Sequence, residues 1–197
     1  KHQEAPTLFL EFHGSAAAVD ADIAAFSDLA ADMGGSDIEF AEKQEDINKL
    51  WHARHQLYYA TRAMEPGKHV VTTDVCVPIS RLGDCMRETR RDMDESPIVG
   101  TMLGHVGDGN FHTILLADPN NLGEMRALDD LHDRMVTRAI EMGGTCTGEH
   151  GIGLGKMKYL EKEKGPAVHL MRQIKAALDP VGIMNPGKLL PGMENGS

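Results

Sequence analysis

Two clusters of imidazole and carboxylate side chains in this chain have the residue types and spacing of a metal-assisted or acid–base site. The first is Gly104-His105-Val106-Gly107-Asp108-Gly109-Asn110-Phe111-His112. It lies between two apolar runs, Pro97 to Leu103 and Thr113 to Ala117, so the pattern reads strand, tight turn, strand. With Asp108-Gly109 as a two-residue turn, Gly107 faces Asn110, Val106 faces Phe111 and His105 faces His112. The two imidazoles then share one face with Cβ atoms about 5 Å apart, close enough to bind one metal ion if a third ligand comes from elsewhere. The plainer alternative is a hairpin whose histidines are polar cross-strand neighbours. The second cluster, Gly148-Glu149-His150-Gly151-Ile152-Gly153, sets a carboxylate beside an imidazole in a glycine-dense loop. Side chains of adjacent residues on an extended chain point opposite ways. Glu149 would then complete a His105/His112/Glu149 site with open positions, leaving His150 off the metal as an acid or base.

The elements that must position these residues are legible in outline. Leu8 to Phe12 reads as a short strand, and Ser15 as the N-cap of a helix carrying Val19, Ile23, Phe26 and Leu29 at helical spacing up to Met33-Gly34-Gly35. Ile38 to Ala41 reads as a second strand, giving β-α-β. A helix is expected from Glu42 to about Ala63, with Ile47, Leu50, Trp51, Leu57 and Tyr58 on one stripe. Arg54 falls on that stripe, where it must either pair with an anion or reach out to solvent. His69 to Val77 is the strongest strand of the sequence. Ser80 can cap a helix to Glu95 that is too charged to be central. Beyond the hairpin, Leu122, Met125, Leu128, Leu131, Met135 and Ile140 mark a long amphipathic helix, with methionines as core filler. Its end at Gly143-Gly144 feeds the Glu149 loop. A last helix carries Val168, Leu170, Met171, Ile174 and Leu178, and the tail over 180–197 is too rich in Gly and Pro for regular structure. The expected class is α+β, an antiparallel sheet covered by helices.

Composition excludes several function classes. The 197 residues suffice for one substantial domain or two small ones. Twenty basic against 30 acidic residues give a net charge of −10, which argues against a nucleic-acid partner. No apolar run approaches the ~18 residues of a membrane span, and the start shows no signal-peptide pattern. Three widely spaced cysteines, Cys76, Cys85 and Cys146, without C-x-x-C, read as reduced thiols of a cytosol-like compartment. Lys1-His2-Gln3-Glu4-Ala5-Pro6 leads straight into the first strand, as in a piece of something longer. G-x-G-x-x-G after a strand, the P-loop and G-x-S-x-G are all missing.

In order and separation, Gly104 to His112, Gly148 to Gly153 and Leu178-Asp-Pro-Val-Gly-Ile-Met-Asn-Pro-Gly-Lys188 resemble the C-terminal domain of FAD-linked oxidases. That family includes D-lactate dehydrogenases, the glycolate oxidase flavoprotein subunit and D-2-hydroxyglutarate dehydrogenases. Trp51-His-Ala-Arg-His55 and Thr72-Thr-Asp-Val-Cys-Val-Pro-Ile-Ser-Arg81 are most similar to the cytochrome-linked D-lactate branch. The resemblance covers essentially the whole chain. It implies a ferredoxin-like cap domain over 1–197 that supplies most of the substrate site, with FAD held by an N-terminal domain absent from this chain. It also implies His105, His112 and Glu149 as ligands of a divalent metal (Zn, Mn or Fe), His150 as catalytic base and Arg54 as the grip on the substrate carboxylate. Tyr58, Thr72 and Asn110 would line the substrate, and Asn185 would lie near the flavin. Thr72 stands where the dicarboxylate-oxidising branch has a lysine, and Tyr58 replaces a smaller hydroxyl residue, so a small monocarboxylic substrate such as D-lactate, oxidised to pyruvate, is expected. The implied partners are that substrate, the protein's own FAD domain and an electron acceptor such as a cytochrome or quinone. A homodimer is left open, and the expected location is cytoplasmic or peripheral at the inner membrane. Two rivals remain: a stand-alone metallohydrolase and a non-catalytic binding domain.

Overall fold

The computed structural model describes residues 5–192; the first four residues and the last five of the tail lie outside them. The chain forms two compact units, Lys1–Tyr58 and Tyr59–Ser197. In the first unit, α1 (Ala16–Asp32) starts where the Ser15 hydroxyl accepts from the Ala18 amide, the expected cap. Two helices follow, α2 (Gln44–His55) and α3 (Leu57–Met64), the latter running on into the second unit. They replace the single helix expected over 42–63, and the interruption falls at Gln56. Ile47, Leu50, Trp51, Arg54 and Leu57 are all half-buried, so Arg54 does lie on the apolar stripe.

The two strands expected in this unit do not form. A strand requires a neighbour to take its amides and carbonyls, and no strand occurs among the described residues of this unit. The aromatic side chains of the first segment meet helices instead. The Phe9 ring lies 6.1 Å from that of Trp51, and the Phe12 ring 6.0 Å from that of Phe26.

The second unit is built on an antiparallel sheet of β1 (His69–Thr72), β2 (Val75–Cys76), β3 (Val99–His105) and β4 (Asn110–Ala117). All eight residues of β4 are buried. It pairs with β3 on one edge and with β1 and then β2 on the other. The strand expected over 69–77 is therefore two segments in one register on β4, His69 opposite Ala117 to Thr72 opposite Ile114, then Val75 opposite Phe111. The gap between them is Thr73-Asp74.

Two helices, α4 (Ile79–Asp94) and α5 (Leu122–Glu141), add their buried faces to the Phe111–Leu115 face of the sheet. α4 contributes to the core despite its charge, because Leu82, Cys85, Thr89 and Met93 recur at helical spacing. Part of that charge is internal to the packing, since Arg138 of α5 pairs with Glu88 at 2.8 Å and with Asp92, and donates to Thr89 at 3.0 Å. The N-cap of α4 is Pro78 rather than Ser80. Asn121 caps α5, its side-chain oxygen accepting from the amides of Gly123 and Glu124.

Short helices α6 (Gly153–Lys156) and α7 (Leu160–Lys164) lead to α8 (Ala167–Leu178). A small apolar cluster of Leu160, Val168 and Leu190 holds these pieces together. Of the apolar stripe expected on α8 only Val168 is buried, whereas Leu170, Ile174 and Leu178 are exposed. The described residues thus form the expected α+β arrangement of an antiparallel sheet with helices.

Candidate metal and acid–base site

The β3–β4 hairpin turns more loosely than a two-residue loop. Val106–Asp108 form one 3-10 turn and Gly109 follows at φ 74. The Gly109 carbonyl accepts from the Val77 amide at 2.9 Å, and a Cβ on Gly109 would lie 2.1 Å from the Val77 carbonyl oxygen. The end of β2 therefore holds the turn and selects its length. As a result His105 pairs with Asn110, and His112 with Leu103, instead of the two histidines facing each other. The displacement is by two residues. A slip of one would turn the side chain to the other face, but a slip of two preserves it. His105 and His112 are consequently diagonal neighbours on one face, their rings 5.9 Å apart and nearly perpendicular.

Thr73 interrupts the opposite edge of β4 in a way that orients His112. Its amide donates to the Thr113 carbonyl at 2.9 Å, a normal rung of the ladder. The Thr113 amide, however, donates to the Thr73 hydroxyl at 2.9 Å rather than to a main-chain carbonyl. The Thr73 carbonyl is thereby released to accept from Nδ1 of His112 at 3.1 Å. With the proton on Nδ1, the lone pair of His112 lies on Nε2, which is 2.9 Å from Oε1 of Glu149. Burial pushes the His112 imidazole below its ordinary pKa, against the opposing pull of the Thr73 carbonyl, Asp74 and Glu149. A neutral imidazole with its second nitrogen fixed by a carbonyl is the form in which histidine binds a metal.

The loop that carries Glu149 reaches the site because the chain leaving α5 runs along β2. Thr145 and Cys76 exchange main-chain hydrogen bonds at 2.7 and 3.2 Å. Gly148 then passes over Asn110, so tightly that a Cβ there would lie 2.7 Å from the amide oxygen of Asn110. Successive amides of Gly148, Glu149 and His150 all donate to Oδ2 of Asp74, at 2.9, 3.0 and 2.8 Å, and the Thr147 hydroxyl joins them at 2.7 Å. Three consecutive N–H groups converging on one oxygen require a curved backbone. For that reason Glu149 and His150 do not point apart as an extended chain would make them. The His150 ring stacks on that of His112 at 4.9 Å and 11°, with its Nε2 3.5 Å from the Glu149 carboxylate.

Asp74 is fully buried. Burial alone would raise its pKa, but the His150 amide, the Thr147 hydroxyl, the Glu149 amide and the Lys156 charge together hold it far below the ordinary carboxylate range. Lys156, itself buried, donates to the Asp74 carbonyl and stands 3.6 Å from Oδ2. Sequence reading passed over Asp74, Thr73 and Lys156. The one available signal was a carboxylate in the middle of an otherwise β-branched strand, where burial of a charge demands partners.

Of the residues singled out in the sequence, His105, His112 and Glu149 offer ligand atoms that all lie within 4.8 Å of one another, with His150 against them. Donors on one tetrahedral zinc-like ion, with bonds of about 2.1 Å, stand about 3.4 Å apart, so the widest pair of this set would close by up to about 1.4 Å to share an ion. Asn110 is buried beside the loop, its Oδ1 without a hydrogen-bond partner among the described residues. Thr72, exposed at the end of β1, shares the sheet face of His112 two residues from Asp74. Asn185 is not in this cluster; it occupies an exposed left-handed position, φ 48, on the C-terminal turn held by Asp179. Arg54 and Tyr58 belong to the first unit, and no carboxylate lies within ion-pair distance of Arg54 among the described residues.

A family model described as "FAD linked oxidases, C-terminal domain" matches residues 1–189. The chain is 48% identical over 186 residues to a probable mitochondrial D-lactate dehydrogenase of Danio rerio, covering 94% of this chain and 37% of that protein. It is 46% identical over 189 residues to a mitochondrial D-lactate dehydrogenase [cytochrome] of Arabidopsis thaliana, covering 95% and 33%. With the glycolate oxidase subunit of Bacillus subtilis the identity is 31% over 183 residues, covering 92% and 38%. The chain thus spans little more than a third of the length of these relatives.

Proposed function

The chain belongs to the family of FAD-linked oxidase C-terminal domains, and on that premise we propose that it is the substrate- and metal-binding part of a flavin-dependent D-2-hydroxy acid dehydrogenase. The substrate of this reading is D-lactate and the product pyruvate. The observation that carries it is the convergence of His105, His112 and Glu149 with His150 stacked beside them. A divalent ion on the three ligands would polarise the substrate hydroxyl as a Lewis acid, and FAD, held by a domain outside this chain with Asn185 near it, would accept the hydride.

This chain's own side chains do the remaining work. His112, with its Nδ1–H fixed by the Thr73 carbonyl, would present Nε2 to the ion, as Glu149 would its carboxylate. His150, half-exposed and off the ligand set, takes the hydroxyl proton while the hydrogen on the same carbon leaves as hydride, so that the alcohol becomes a ketone. Arg54 grips the carboxylate; its half-buried place, with no ion pair among the described residues, supports that role. Thr72, Tyr58 and Asn110 line the substrate, and the want of a lysine at Thr72 supports a monocarboxylate over a dicarboxylate. An acceptor such as a cytochrome or quinone would take the electrons onward. The same reading takes the protein to be cytoplasmic or peripheral at the inner membrane, which cell fractionation tests.

Elemental analysis of the dialysed protein tests the site, with steady-state assays of the intact enzyme alongside. Near-stoichiometric divalent metal that vanishes in His112→Ala, and a kcat for D-lactate lowered about 10²- to 10⁴-fold in His150→Asn, are expected. Absence of metal with or without substrate, or preference for D-2-hydroxyglutarate over D-lactate, would overturn the reading. Hydrolysis of esters by the domain alone would favour the metallohydrolase.

A further inference from the structure

We propose that Asp74 is the positioning residue of the Glu149–His150 loop, a carboxylate whose work is to hold the ligand Glu149 and the base His150 against the two hairpin histidines. The proposal rests on the site reading above, but the contacts that Asp74 makes need no ion. One oxygen of Asp74 accepts four hydrogen bonds, from the Thr147 hydroxyl and the amides of Gly148, Glu149 and His150. Charge-assisted bonds of this kind are stronger than neutral ones. Four of them on a loop whose residues 148–151 are exposed on the surface account for its single curved shape.

The other oxygen, Oδ1, is buried with no hydrogen-bond partner among the described residues and lies 3.7 Å from Nδ1 of His112. Asp74 therefore touches both halves of the site. Through main-chain amides it fixes the loop, and behind the imidazole it places a negative charge that favours the proton on Nδ1 and makes Nε2 the better donor. Lys156, itself buried, balances that charge, so the carboxylate stays buried and ionised. None of these contacts depends on what the side chains of Glu149 and His150 bind. Asp74 shapes the site before a ligand arrives.

The test uses the intact flavoenzyme and three variants, Asp74→Asn, Asp74→Ala and Thr147→Val. Metal affinity is read by competition with a chromophoric chelator, and hydrogen exchange by mass spectrometry over peptides spanning 145–155 and 99–117. In Asp74→Asn and Asp74→Ala, metal affinity falls about 10- to 100-fold, exchange rises in 145–155 and stays as it was in 99–117. Thr147→Val, which removes one of the four bonds without touching the carboxylate, gives an intermediate change of the same pattern, and decides the matter if the Asp74 variants do not fold. Wild-type exchange over 145–155, or exchange raised equally in both peptides, would overturn the proposal, the second because it would mean that Asp74 merely stabilises the domain. Should the wild-type enzyme hold no metal, the functional reading fails while the exchange comparison still judges Asp74.

Discussion

The two edges of β4 differ in how their hydrogen bonds are used. On the β3 edge seven consecutive residue pairs, Val99–Leu116 to His105–Asn110, form an uninterrupted ladder. On the other edge β1 and β2 keep one register but leave a gap at Thr73-Asp74. At that gap a hydroxyl substitutes for a carbonyl in the ladder, the released carbonyl orients His112, and the next residue gathers the amides of the Glu149 loop. The continuous edge supplies a rigid platform for the two hairpin histidines. The broken edge supplies everything that turns the platform into a site. In a sheet whose central strand is wholly buried, main-chain groups withdrawn from pairing must find other partners, and here those partners are the Thr73 hydroxyl and the His112 imidazole of the candidate site.

The largest test of this contrast is to remove the core that both edges share. Phe111 is fully buried, pairs with Gly104 of β3 and Val75 of β2, and packs with Val136 and Ala139 of α5. Phe111→Ala is expected to cost about 3–5 kcal/mol in urea unfolding and to loosen both edges together. Loosening of only one would mean that they are not parts of one cooperative unit.

Acid should separate the edges. Glu163 accepts from the Cys146 amide at 2.8 Å, where the loop leaves the broken edge. Burial would raise its pKa, but that amide, the Cys146 thiol and Lys164 bring it down to about 2. A carboxyl whose folded pKa is depressed contributes stability that is complete above its ordinary value near 4.5 and is lost as pH falls toward 2, about 3 kcal/mol for this shift. Asp74 acts in the same direction. Below pH 4.5, amides of 145–150 are expected to lose protection, relative to intrinsic exchange at the same pH, before those of 99–105 do. Simultaneous opening would remove the distinction between the edges.

The smallest effect belongs to the hydroxyl at the gap. Thr73→Val leaves the buried Thr113 amide without its acceptor and is expected to cost about 1–3 kcal/mol in thermal or urea unfolding. It should also weaken metal retention, since the carbonyl that orients His112 would be drawn back toward the ladder. A Thr73→Ser variant restores the hydroxyl and should recover both. Equal behaviour of the Val and Ser variants would show that the gap is held by packing alone.

Much of this was legible in residue types. Histidines at His105 and His112 on alternating strands must share a face whether the turn has two residues or four, because side-chain period is two, so their partnership survived an error in the turn. Glu149 and His150 were marked by their glycine-rich surroundings. Ser15 and the apolar spacing of α5 announced their helices. The strands expected at Leu8 to Phe12 and Ile38 to Ala41 failed because β propensity measures fitness for a pleated surface and says nothing of whether a partner strand is there. In the same way the exposed Leu170, Ile174 and Leu178 show that a helical stripe fixes a face and leaves open what that face meets.

The sequence by itself determined the family to which the chain belongs and which imidazole and carboxylate side chains to look for together, since residue types at fixed local spacing are written residue by residue. Only the tertiary structure decided how they are held. The bonds that Asp74 makes reach main-chain amides 74 to 76 positions away, and every residue but proline has such an amide, so no residue type marks them. A buried carboxylate among strand residues announces that it needs partners, and only the folded chain says which ones.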